Sequence, residues 1–154
     1  MRKGETGEAS IHIAATPDVV YATVSDVTRM GEWSPETVRC EWIDGATGPV
    51  VGARFKGSNK RGFVRWSNTP EVIAAEPGKE FAFDVAGDTR WRYTFQPEEG
   101  GTRVTEQFEM LVDLKWYYAF AERYLMRIKD RKADLEAAMH TTLGRIKAIV
   151  ETSS

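Results

Sequence analysis

Apolar positions change their spacing along the chain, and each spacing predicts an element. Over Ser10–Ala14 they alternate, with Ile11 and Ile13 on one face and His12 on the other, the period of a strand. Thr16-Pro17-Asp18 then supplies a capping hydroxyl, a proline suited to the first helical position and an acid in the first turn. Val20, Val24 and Val27 carry that helix on as a short apolar stripe, and a second helical turn over Thr28–Trp33 is expected before Ser34-Pro35 stops it. Asp26 is placed to cap that second turn.

From Thr37 to Leu111 the period is two. The in-phase sets are Val38, Cys40 and Trp42; Phe55; Phe81, Phe83 and Val85; Trp91, Tyr93 and Phe95; and Val104, Phe108 and Met110. A long strand is expected from about Phe63 to Ala75, with Pro70 marking an edge position or a bulge. Turn signals separate the strands at Gly45–Gly52, Lys60–Gly62, Glu76–Lys79, Gly87-Asp88 and Pro97–Gly101. Six consecutive strands with short turns form an antiparallel meander, and the strand at Ser10–Ala14 makes a seventh.

Over Trp116–Glu151 the step becomes three and four. Ala121, Leu125, Ile128, Leu135, Met139, Leu143, Ile146 and Val150 line one stripe, and an unbroken helix of that length would run ~50 Å. A helix this long needs a large partner surface, which the meander supplies. Strands collected together and helices segregated from them indicate an α+β fold. One domain over 9–151 is expected, preceded by a disordered tail at 1–8.

A sheet of this many strands curls, and a straight helix cannot touch all of its concave face. The inward set is aromatic: Trp42, Phe55, Trp66, Phe81, Phe83, Trp91, Tyr93, Phe95 and Phe108. Two readings follow, a plain hydrophobic core and a lined pocket for a small molecule. Polar residues in phase with the apolar face bear on the choice. Glu106 lies between Val104 and Phe108, and Asn68 is in phase with Trp66. A carboxylate there is paired, solvated or protonated, because burying it bare is expensive. Glu106 therefore serves either as a structural partner of the long helix or of a Trp N–H, or as a polar anchor and candidate acid or base.

Composition narrows the chemistry. The chain has 154 residues, a net charge of −2 and one cysteine, Cys40. That balance gives no support to nucleic acid as a partner. A lone cysteine excludes an intrachain disulfide and a cysteine-based metal site, and fits a reducing cytoplasm. No stretch approaches the ~20 apolar residues of a membrane span. His12 and His140 are far apart, no phosphate loop or nucleophile elbow occurs, and no metal or cofactor is expected. The basic residues of the long helix interleave with Glu122, Asp130 and Asp134, which reads as a solvated face. Trp116-Tyr117-Tyr118, Phe120 and Tyr124 form a dense aromatic group suited to a lid or to an association surface such as a homodimer.

Several stretches, in this order, resemble the START-like, helix-grip superfamily called SRPBCC, in its polyketide cyclase/dehydrase branch with uncharacterised actinobacterial members. They are Thr16–Tyr21, Asp26–Glu36, Val51–Phe55, Ala75–Phe81, Gly101–Glu106 and Thr142–Lys147, together spanning about Ala9 to Glu151. The resemblance implies a seven-stranded curved antiparallel sheet gripping the long C-terminal helix over a hydrophobic cavity, with two short helices between strands 1 and 2. Members bind lipids, steroids, polyketides or hormones, and some cyclise or dehydrate aromatic polyketides. No catalytic set carries over, and fold alone supplies none. The expected function is binding of a small hydrophobic ligand between sheet and helix; the alternatives are a cyclase/dehydratase-type enzyme, with Glu106 as its candidate acid or base, and a protein-interaction module. The expected cavity residues are Trp33, Trp42, Phe55, Trp66, Asn68, Phe83, Trp91, Tyr93, Glu106, Phe108, Tyr124 and Ile128. Trp33 is expected at the rim, where the early helices meet the sheet.

Overall fold

The computed structural model describes residues 2–113 and 131–153. The order of elements is β1 (Thr6–Ile13), α1 (Pro17–Val24), α2 (a 3₁₀ helix, Val27–Glu32), β2 (Thr37–Ile43), β3 (Arg54–Arg61), β4 (Val64–Asn68), β5 (Glu71–Glu76), β6 (Glu80–Val85), β7 (Thr89–Glu98), β8 (Gly101–Met110) and α3 (Arg131–Ser153). All strands are antiparallel, in the order β1-β8-β7-β6-β5-β3-β2, with β4 paired to β3. The sheet curls around α3, with α1 and α2 between the first two strands, which is the α+β helix-grip arrangement.

Three local expectations change. The expected tail at 1–8 is strand from Thr6, paired Thr6↔Glu109 and Gly7↔Phe108. Its inward positions there are Gly7 and Ala9, too small to register as an apolar stripe, yet Gly7 is what lets the Phe108 ring lie against β1. The long strand expected over Phe63–Ala75 is two strands, β4 and β5, parted at Thr69-Pro70. Proline has no N–H to give to a ladder, so pairing lapses there, although the Pro70 carbonyl still accepts from Phe55 N–H at 3.1 Å. Counted by position, the sheet has the expected seven places, one filled by β4 and β5 in turn along β3. Phe63, expected inside that strand, stands exposed in the turn before β4.

Both helix starts form as the residue types dictate. The Thr16 hydroxyl accepts from Val19 N–H at 3.4 Å, and Asp26 Oδ1 accepts from Thr28 N–H at 3.2 Å. α1 buries Val20, Tyr21 and Val24, and the Tyr21 ring stands edge-on to Phe81 and Phe95. α2 lies against the backbone of β2, and a Cβ on Gly31 would sit 2.7 Å from the Val38 carbonyl oxygen. α3 buries Leu135, Met139, Leu143, Ile146 and Val150, the second half of the predicted stripe. It is tied to the sheet at both ends. Arg61 bridges Asp134 and Glu36, while Lys147 Nζ donates to the His12 carbonyl and Glu151 accepts from Ala14 N–H. The first half of the expected helix, with the aromatic group at 116–120 and the predicted cavity residues Tyr124 and Ile128, lies outside the described residues.

Candidate functional site

Between the concave face of the sheet and α3 lies a cavity of about 590 Å³. Its apolar wall comes from five elements: Trp33 at the end of α2, Phe55 on β3, Trp66 on β4, and Phe83 and Trp91 on β6 and β7. α3 closes it with Leu135, Met139 and Thr142. The rings are held edge-to-face, Phe55 against Phe83 at 5.3 Å between centroids, so the wall is fixed by packing among its own members.

The polar chemistry is concentrated at two points. The first is Glu106, opposite Tyr93 in the β7–β8 register, with both side chains turned to the concave face. The Tyr93 hydroxyl donates to Glu106 Oε2 at 2.8 Å, while Oε1 has no protein partner. Glu106 is only 4% exposed, and burial pushes its carboxyl up to about 8 against the opposing effect of the Tyr93 hydrogen bond. Burial, and then the neighbouring carboxyl, hold the Tyr93 phenol well above its usual range. At neutral pH the pair is therefore two uncharged acids in contact. The expected partners of Glu106, the long helix or a Trp N–H, are replaced by this cross-strand tyrosine.

The second point is Asn59, near the end of β3. Its Oδ1 accepts from the Thr37 hydroxyl at 3.1 Å, and its buried Nδ2 has no partner. Asn68 faces the same space, accommodated by Gly57 opposite, where a Cβ would come within 3.0 Å of Asn68 Oδ1. Cys40 contributes a buried thiol to the wall, pushed up to about 11 by burial, and so uncharged and unreactive. Glu36 and Asp88 are the other acids of the lining, and no Lys, Arg or His belongs to it among the described residues.

Eight of the predicted residues thus come together around one space: Trp33, Phe55, Trp66, Asn68, Phe83, Trp91, Tyr93 and Glu106. Trp33, the residue that ends α2, is buried in the wall at 1% exposure rather than placed at the rim. Trp42 and Phe108 share the right face but lie off the cavity. Trp42 stands behind Phe55, edge-on at 5.7 Å, and Phe108 is sealed between Trp91 and Gly7. Met30, Cys40, Asn59, Met139 and Thr142 line the space without having been anticipated. The available signal for Asn59 was its phase with Phe55 and Gly57 along β3.

Residues 5–151 match the family model described as polyketide cyclase/dehydrase and lipid transport. Among solved structures, the chain is similar to the polyketide cyclase-like protein Cgl2372 from Corynebacterium glutamicum, at 39% identity and TM-score 0.67 over 99% of this chain and 95% of that one. Protein CV1439 from Chromobacterium violaceum has the same fold at 18% identity and TM-score 0.69, over 95% of this chain and 97% of that one. So does an AHSA1-like protein from Aeromonas hydrophila, at 20% identity and TM-score 0.66 over 97% and 94%. Comparison with curated proteins returns no match.

Proposed function

The chain belongs to the polyketide cyclase/dehydrase and lipid transport family, within the SRPBCC superfamily, and on that premise we propose that it binds a small, largely apolar molecule between the sheet and α3. The observation that carries this reading is the open space itself: about 590 Å³, inside the ~300–1,000 Å³ usual for small-molecule sites, with a mainly apolar wall that includes six aromatic side chains. A ligand burying ~300 Å² of apolar surface there would gain ~7 kcal/mol before the costs of association. Supporting details are the absence of a cation from the described lining and the two polar points that would orient a ligand. A small molecule is then the partner. The net charge of −2 supports no nucleic-acid role, and the single buried thiol fits a reducing cytoplasm.

Trp33, Trp66 and Trp91 in the wall supply the assay. Titration with flavonoids, aromatic polyketides and fatty alcohols should change tryptophan emission saturably, and Trp91→Phe should reduce the amplitude. A flat response to the whole panel defeats the reading.

A second reading, a cyclase/dehydratase-type enzyme, is favoured by one observation: Glu106 holds its proton near neutral pH at the cavity wall, the condition of a general acid. On that reading Glu106→Gln abolishes turnover and spares binding; loss of folding instead makes Glu106 structural.

A further inference from the structure

Among the described residues, the cavity wall holds two buried side-chain polar atoms without a partner, and their hydrogen-bonding sense specifies what should meet them. We propose, resting on the ligand-binding reading above, that the natural ligand is an uncharged molecule with two carbonyl-type oxygens at opposite ends of an apolar frame, one accepting from Asn59 and the other from Glu106.

Both orphaned atoms are donors. Asn59 Oδ1 is already engaged by the Thr37 hydroxyl, which leaves the Nδ2 hydrogens turned to the space. Glu106 Oε2 is already engaged as an acceptor by Tyr93, and a carboxylic acid accepts best at its carbonyl oxygen, so the acid proton belongs on Oε1, the atom without a partner. Burial keeps that proton in place at neutral pH. A buried donor with nothing to donate to is costly, and a ligand oxygen at each point removes that cost.

Charge excludes the other classes. Among the described residues the lining holds the acids Glu36, already bridged by Arg61, and Asp88 but no cation, so a ligand carboxylate would find no counter-charge among them. An ammonium at the Asn59 end would meet N–H groups, donor against donor, and at the other end a carboxyl that holds its proton. Position excludes a ligand with a single polar end. Glu106 is on β8 and Asn59 on β3, with β7, β6 and β5 between them. Both side chains line the inside of the curled sheet from different strands, so each donor calls for a ligand oxygen of its own.

The test uses a rigid steroid frame. Androstenedione carries ketones at its two ends, androstane carries none, and a steroid carboxylate and an aminosteroid carry charges. Binding is followed by tryptophan emission at about pH 7. The expected result is androstenedione binding at least about tenfold tighter than androstane, the worth of one satisfied hydrogen bond. Asn59→Leu and Glu106→Leu should each cut the preference for the diketone over androstane about tenfold. Glu106→Gln, whose amide still donates, should keep the diketone affinity. Asn59→Asp keeps the Thr37 bond and removes the donor, and serves if the leucine variant does not fold. Equal affinity for androstane and androstenedione overturns the proposal and leaves the cavity reading standing. Preference for the carboxylate or the amine overturns it in the same way. Failure of every steroid to bind overturns the proposal, and it overturns the cavity reading as well only when flavonoids, aromatic polyketides and fatty alcohols also give no response.

Discussion

Glu106 makes the pH dependence of stability unusual in direction. Most carboxylates with partners in a folded chain stabilise it as pH rises; this one does the reverse. Below its ordinary value of 4.5 the group is protonated in both folded and unfolded chains. Between 4.5 and about 8 it is protonated only when folded, so unfolding releases a proton and every rise in pH favours the unfolded state. Above about 8 it is ionised in both, and the effect levels off. At about 1.4 kcal/mol per pH unit, the interval amounts to about 5 kcal/mol, comparable with the whole stability of a weak domain. Replacement by glutamine keeps an acceptor for the Tyr93 hydroxyl and removes the titration. Urea unfolding of wild type and Glu106→Gln, from about pH 5 to about pH 9, isolates the term. The partly exposed ion pairs of Glu32, Glu98 and Glu151, whose carboxyls are held below their ordinary range by Arg29, by His12, and by the Ala14 N–H respectively, are common to both proteins and cancel in the difference. The stability of the variant relative to wild type should climb through that range and flatten beyond about pH 8. A difference that does not vary with pH would refute the reasoning, since it would mean that Glu106 is already ionised and solvated in the folded protein.

Two further outcomes follow from single residues. Cys40, its thiol pushed up to about 11, should react with a thiol reagent at pH 8 at least about a hundredfold slower than a free cysteine. Its rate should recover in urea and fall further with a bound ligand; labelling at the free-cysteine rate would contradict both its burial and its place in the wall. Gly101→Ala should destabilise by about 2–3 kcal/mol, because the new Cβ overlaps the Ile13 carbonyl oxygen, a backbone atom with little room to give. The urea midpoint should fall at unchanged slope, and an unchanged midpoint would count against the β1–β8 packing described.

Alternation made the strands legible because each inward position carries a side chain large enough to mark it. Where that position is Gly7 or Ala9 the mark vanishes, and the start of β1 vanished with it. Phase along a strand assigns a side chain to a face and says nothing of where on the face it falls. Trp42, Trp66, Trp91 and Phe108 were indistinguishable on that ground, yet only Trp66 and Trp91 reach the cavity. The Glu106–Tyr93 contact shows what was missing. Both residues were read as inward, and their meeting depends on the tip of the β7–β8 hairpin. Glu98 pairs with Gly101 across Glu99-Gly100, with Gly100 at φ +77°, and that two-residue tip fixes every pair behind it, Tyr93↔Glu106 included. A tip placed one residue away would have turned the carboxyl to a different neighbour. Asn59 escaped notice for a related reason. In Gly57-Ser58-Asn59-Lys60 the polar run approaches a turn, where phase with Phe55 and Gly57 is a weak signal, and the pairing with β2 shows that the amide turns inward.

The close seat of α2 on β2 has a bearing on how the molecule behaves in a crowd. β2 is an end strand of the sheet, with an irregularity at Val38, and an end strand is a template on which foreign chains can add. Gly31 allows the 3₁₀ turn to rest on the Val38 carbonyl, so one stretch of that template is occupied by the chain's own backbone. At the opposite end of the sheet α3 packs on β1. Helices that border the cavity thus also act as guards against intermolecular strand addition. A side chain at position 31 would make itself felt first in colloidal behaviour, as loss of monomer with protein concentration, before any change in the cavity.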